Sequence, residues 1–295
     1  MHQKFLITAA ELQNRTDDPE WRIVDCRFDL SRPERGYEEY RAGHIPGAAY
    51  AHLDRDLAGP VAATTGRHPL PRPELFIATL GRWGISREAR VVAYDYGNGA
   101  IAARLWWMLR WIGHSDVRVL DGGYAAWIRD GFEPSRELPV FPSREYRGSA
   151  DPRTVITTDE LQRQIDTHAA PTVLDARDAD RFRGEREPID AVAGHVPGAR
   201  NVPLGRSLNE DGSWRSPAEL GELWSEALPG GRDQPWIAMC GSGVTACHLA
   251  LSAQLAGYAA PRLYVGSWSE WIRDRRRPVA TGGEPGIVEP PAGRL

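Results

Sequence analysis

The chain of 295 residues is poor in sulfur, with three cysteines and three methionines. Cys26, Cys240 and Cys247 cannot all pair, and none stands in a CxxC spacing. Neither a disulfide framework nor a zinc site is expected, and a reducing cytoplasm is the expected setting. Surplus charge is lacking too: 36 Lys and Arg against 40 Asp and Glu leave −4. That balance offers no electrostatic footprint for nucleic acid or an anionic membrane. The N-terminal MHQKFLITAAELQNRTDD has no apolar core of signal-peptide length. Residues 234–261 carry no Asp, Glu, Lys or Arg, but Gly241, Ser242, Gly243, His248, Gln254 and Gly257 interrupt them. A buried strand, a tight loop and a buried helix fit that stretch better than a membrane span.

The composition that remains is that of a globular protein. Hydrophobic residues at 41% and charged residues at 26% exclude collagen-like, coiled-coil and disordered classes. The length suits about two domains. Thirty glycines and 23 prolines predict many turns, and 11 tryptophans predict large, well-filled cores.

Self-comparison organises the chain. IVDCR at 23–27 matches VLDAR at 173–177, and AGHIPGA at 42–48 matches AGHVPGA at 193–199. VVAYD at 91–95 matches WIAMC at 236–240, and VLDGGYAAW at 119–127 matches YVGSWSEW at 264–271. Four collinear matches at nearly constant offset mean two tandem copies of one domain, each with its own core. The apolar runs RIVDC, RVVAY, VRVLD, TVLDA, WIAMC and RLYVG have the length of buried parallel strands. Between them, residues 101–112 place Leu105, Met108, Leu109 and Ile112 on one helical stripe. Alternating strands and helices predict an α/β fold, each copy a mainly parallel sheet with helices on both faces. Residues 133–153, with four prolines and many charges, read as an exposed linker.

The copies differ at one loop. In the second, the strand WIAM runs into Cys240-Gly-Ser-Gly-Val-Thr and then an apolar helix. Ligands of open parallel sheets bind at such carboxyl ends of strands. Gly241 and Gly243 let the backbone curl with its N–H groups inward, and the helix aims its positive end at the same point. Amide donors and that dipole would stabilise a thiolate at Cys240, and Ser242 and Thr245 add hydroxyls. In the first copy Asp95 holds the equivalent position, so that copy lacks a nucleophile. Cys26 and Cys247 read as packing residues, and His44 and His195, which recur in both copies, as structural. A phosphatase loop needs an arginine six residues after its cysteine, and Ala246 stands there.

Tandem α/β domains carrying AGHIPGA, LDGG-x-x-x-W and CGSGVTA resemble the two-domain rhodanese superfamily. Within it, CGSGVTA is similar to the loop of 3-mercaptopyruvate sulfurtransferases, whereas thiosulfate-preferring relatives carry cations where this chain has Gly241 and Ser242. The resemblance implies a rhodanese-like, inactive domain at 1–138, a linker at 139–153, a catalytic rhodanese-like domain at 154–285 and an irregular tail at 286–295. It implies that Cys240 accepts a sulfur atom as a persulfide, and that Ser242, His68 and Asp54 form a proton relay. Arg181 is implied to bind the donor's carboxylate, with Gly241, Gly243, Val244 and Thr245 lining the substrate loop. A second arginine is expected nine residues after Arg181, but Asp190 stands there and Arg186 is the nearest substitute. The implied activity moves sulfur from 3-mercaptopyruvate, a small anionic donor, to a thiol such as thioredoxin or glutathione, or to cyanide. No metal, organic cofactor, nucleic acid or membrane is implied. The alternatives are a thiosulfate:cyanide sulfurtransferase and a non-catalytic rhodanese-like module that binds a protein, against which the intact Cys240 loop argues.

Overall fold

A computed structural model describes residues 2–284 and 286. The expected irregular tail therefore lies, apart from Gly286, outside the described residues. Five strands form the first sheet: β1 (Leu6–Ile7), β2 (Trp21–Asp25), β3 (Ala48–Tyr50), β4 (Arg90–Tyr94) and β5 (Val117–Leu120). Five more form the second: β6 (Val155–Ile156), β7 (Thr172–Asp175), β8 (Ala199–Asn201), β9 (Trp236–Met239) and β10 (Arg262–Tyr264). The orders are β1-β5-β4-β2-β3 and β6-β10-β9-β7-β8, the same topology twice. Every pairing between these strands is parallel. The central strands are almost wholly apolar, because helices cover sheets of this kind. The six runs read from sequence are β2, β4, β5, β7, β9 and β10. The other four strands are the edge strands, two or three residues long and not part of a longer apolar run of that kind.

Each sheet has its own core. Ile7, Leu12, Ile23, Ile45, Val92, Leu120 and Trp127 fill the first. Ile156, Leu161, Phe182, Ile237, Met239, Trp268 and Trp271 fill the second. The repeated tryptophans do the same job: both are fully buried and donate Nε1–H to a carbonyl a few residues on, that of Glu133 and that of Pro278. The repeated VDCR and LDAR segments form buried ion pairs at the ends of β2 and β7, Arg27 to Asp25 at 2.6 Å and Arg177 to Asp175 at 2.7 Å. Each arginine also donates to the glycine carbonyl of the AGHxPGA turn, Gly43 at 2.7 Å and Gly194 at 2.8 Å. His44 and His195 are buried and bonded to backbone carbonyls at 2.7 and 2.8 Å, a structural use in both copies.

The chain divides into two compact units whose borders differ from a simple cut. The first takes residues up to Pro60, Leu70–Asp151 and Leu208–Pro217, and the second takes Val61–Pro69, Pro152–Ser207 and the chain from Ala218 onward. Residues 133–151, expected as an exposed linker, are mostly exposed. Their backbone is tied to the first unit, Arg144 N–H to the Gly81 carbonyl at 3.1 Å and Asp151 N–H to that of Trp111 at 2.9 Å. Prolines keep this strip extended without preventing its remaining amides from bonding.

Among the described residues no helix is long and apolar enough to cross a membrane. The uncharged stretch 234–261 is instead β9, a loop and the helix Thr245–Leu255, nearly all of it buried.

In the first unit the loop after β4 is closed by its own side chain. Asp95 accepts from the N–H groups of Gly97, Gly99, Ile101 and Ala102 at 2.9–3.1 Å. Burial pushes its carboxyl up while these four amides pull it down. Asp95→Asn puts an NH2 where an oxygen served two donors, and leaving buried donors unmet costs about 1–3 kcal/mol. Thermal denaturation of that variant is expected to show a loss of this size, and unchanged stability would contradict the plug.

Candidate active site

β9 ends at Met239, and the loop that follows is held from below by the helix Ser267–Trp271. The Trp268 N–H donates to the Cys240 carbonyl and the Ser269 N–H to the Gly241 carbonyl, both at 2.9 Å. The first copy repeats this pattern with Tyr124 to Asp95 and Ala125 to Tyr96, so the scaffold is common to both. Gly243 turns the loop at φ +78°, and a Cβ there would lie 2.4 Å from the Val265 carbonyl oxygen. Only glycine fits.

Cys240 is 1% exposed. Its Sγ accepts the Gly243 N–H at 3.1 Å, and its own N–H donates to Ser267 Oγ at 3.1 Å. Among the described residues the N–H groups of Gly241, Ser242 and Val244 have no acceptor. Val244 precedes the helix whose first residue is half-buried Thr245, so that helix directs its positive end at this loop. Two of the amides that Asp95 satisfies in the first copy, those of Gly97 and Gly99, thus have open counterparts here, Ser242 and Val244, beside a thiol.

His68 meets this loop. Its Nδ1 lies 2.8 Å from Ser242 Oγ, and both side chains are buried. The segment that carries it, Val61–Pro69, is built into the second unit. Gly66 N–H donates to Glu270 at 3.2 Å, Arg67 N–H to Ser269 Oγ at 3.1 Å, and Arg273 Nε to the Thr65 carbonyl at 3.2 Å. Asp54 lies in the helix Leu53–Asp56 of the first unit and is exposed.

The loop contains no cation, as its sequence says, yet two guanidinium groups reach it from elsewhere. A Cβ on Gly241 would lie 3.0 Å from Arg67 Nη2 and 3.6 Å from Arg181 Nη2. Two buried carboxylates oppose them. Arg181 binds Glu187 at 2.8 Å and Asp190 at 3.1 Å, and Arg67 binds Asp190 as well. Burial works against the charge on Glu187, but its bonds from Arg181 and nearby amides hold its carboxyl below the ordinary range. Burial pushes the Asp190 carboxyl up, against the pull of Arg67. Arg186 is not part of this cluster. It is 71% exposed and faces Asp180 at 3.7 Å, because the short 184–190 segment turns its side chain to solvent.

Two residues at the site escaped the sequence reading. Ser267 has φ +52° where the first copy has Gly123 at φ +56°, so the fold tolerates a left-handed serine whose hydroxyl caps the Cys240 amide. The glycine-to-serine difference was visible in the repeat alignment. Arg67 had a weaker signal, its place beside His68. Cys247 donates Sγ–H to the Gly243 carbonyl at 3.3 Å, which makes it a brace of the loop.

Comparison with known proteins agrees with the fold. The model of the rhodanese-like domain matches residues 8–130 and 157–274. A probable 3-mercaptopyruvate sulfurtransferase of Pseudomonas aeruginosa is 46% identical over 96% of this chain and 100% of its own. A putative thiosulfate sulfurtransferase of Mycobacterium tuberculosis is 40% identical over 95% of this chain and 98% of its own. The crystal structure of a 3-mercaptopyruvate sulfurtransferase from Escherichia coli superposes with a TM-score of 0.79 at 32% identity, covering 90% of this chain and 100% of that one. The chain belongs to the rhodanese-like family, with two such domains. Within that family it is an enzyme, a sulfurtransferase.

Proposed function

We propose that this enzyme moves sulfur from 3-mercaptopyruvate to a thiol or cyanide acceptor through a persulfide on Cys240. The difference between the two equivalent loops carries the reading. Where Asp95 fills four amides in one copy, the other offers a thiol with open amides around it, and these suit a sulfur anion or a pair of linked sulfurs. The Cys240 thiolate attacks the donor's sulfur and the carbon–sulfur bond breaks. Its electron pair stays on carbon as the enolate of pyruvate, which then takes a proton. Ser242 supplies that proton and His68 replaces it, with Asp54 the third member of the relay. In the second half an acceptor thiolate, from thioredoxin, glutathione or a like thiol, or cyanide, attacks the outer sulfur, and the Cys240 thiolate is restored.

The working division belongs to the same reading: an inactive domain at 1–138 and a catalytic one at 154–285, joined by 139–153. So does a cytoplasmic setting, which three unpaired cysteines support.

Around Gly241 two arginines face two carboxylates, so the surroundings are close to neutral. A monoanionic keto acid fits such surroundings better than doubly charged thiosulfate. The two guanidinium groups are also what favours a second reading, with thiosulfate as donor. Measuring kcat/KM for the two donors side by side decides: the higher value is expected with 3-mercaptopyruvate, and a preference for thiosulfate would overturn the donor.

A further inference from the structure

The two guanidinium groups beside Gly241 are not equivalent. Arg181 spends its Nε–Nη2 edge on Glu187, with Nε 3.0 and 3.1 Å from the two oxygens, and gives Nη2 to Asp190 as well. Arg67 gives only Nη1 to Asp190. Its Nε is buried without a partner, and its Nη2, the nitrogen nearest Gly241, has none among the described residues. Nε–H and Nη2–H are the two parallel donors of one guanidinium edge, spaced to match the two oxygens of a carboxylate. A buried donor left unmet costs about 1–3 kcal/mol, and an arriving oxyanion would remove that cost. Arg67 is also the more accessible of the pair, 24% against 12% exposed. It borders a cavity of 640 Å³ lined by Asp190, Ser269, Arg273 and Arg277 among others, so a small solute has room beside it.

We propose that Arg67, through its Nε–Nη2 edge, grips the carboxylate of the keto-acid donor. Asp190 is the positioning residue that holds the Nη1 end and keeps the free edge beside Gly241. Arg181, bound on its own edge by Glu187, completes the charge balance and contributes Nη1 at most. This assignment rests on the mercaptopyruvate reading and adds the residue that selects for the acid group.

The test compares 3-mercaptopyruvate with 1-mercaptopropan-2-one, which keeps the thiol and ketone and has a methyl group in place of the carboxylate. Losing a bidentate charged contact lowers kcat/KM for mercaptopyruvate about 10- to 150-fold in Arg67→Ala, chiefly through KM. The loss with mercaptopropanone is far smaller, so the preference for the acid collapses. Arg67→Lys keeps the charge without the fork and covers the case in which alanine impairs folding. It shows a smaller loss, again confined to the acid. Equal losses for both donors in the lysine variant, or no loss for either, overturn the assignment of Arg67. A wild-type enzyme that does not turn over mercaptopyruvate overturns the donor reading itself, and is told apart by needing no variant.

Discussion

Cys240→Ser is expected to lose sulfur transfer with every donor and acceptor while it still folds. Removing a catalytic nucleophile costs on the order of 10⁴- to 10⁶-fold in kcat. A hydroxyl in the same place does not ionise to attack sulfur, and the amides that suit a thiolate do not change that. The fold has little reason to fail, since serine keeps the shape and the Gly243 N–H keeps an acceptor. The other two thiols act as controls. Burial, with Asp25, pushes the Cys26 thiol well up, and its Sγ is turned to the Val24 carbonyl. Cys247 is spent on Gly243. Serine at either position is expected to keep most of the activity. Substantial turnover by Cys240→Ser would remove the nucleophile from the account.

His68→Ala is expected to lower kcat with mercaptopyruvate by about 10²- to 10⁴-fold, the usual contribution of a positioned proton donor. The same variant loses much less with thiosulfate. Pyruvate leaves as an enolate that needs a proton, whereas sulfite leaves as a stable anion that needs none. The bond from His68 Nδ1 to Ser242 Oγ ties the imidazole to the Cys240 loop, and the contrast between donors separates a proton relay from a brace. Steady-state kinetics of the variant with both donors measures the difference. An equal loss for both would reduce His68 to a brace for the loop.

The repeat made most of the scaffold legible. Residues kept in both copies, such as Asp25 with Arg27 and Asp175 with Arg177, turned out to be buried ion pairs that anchor a turn. The residue that differs most, Asp95 against Cys240, stands at the end of equivalent central strands. Three things stayed hidden, each for a physical reason. The edge strands are two or three residues long and lie outside the longer apolar runs. The Pro-rich strip 133–151 is bound by its backbone, which side-chain composition does not encode. Arg67 comes to Gly241 through hydrogen bonds of Val61–Pro69 to the helix Ser267–Trp271, about two hundred residues away in sequence. The family resemblance put a second arginine nine residues after Arg181, where Asp190 stands. Folding brings in Arg67 and binds it to that same aspartate.

The most direct test is the mass of the intact protein after brief exposure to 3-mercaptopyruvate, with pyruvate measured in the same sample. The account predicts one added sulfur atom on the wild-type chain and an equal amount of pyruvate. Cyanide then removes that sulfur as thiocyanate. Cys240→Ser shows neither the added sulfur nor the pyruvate. Sulfur carried by the Cys240→Ser chain, or pyruvate released by the wild type with no sulfur gained, would contradict a persulfide on Cys240.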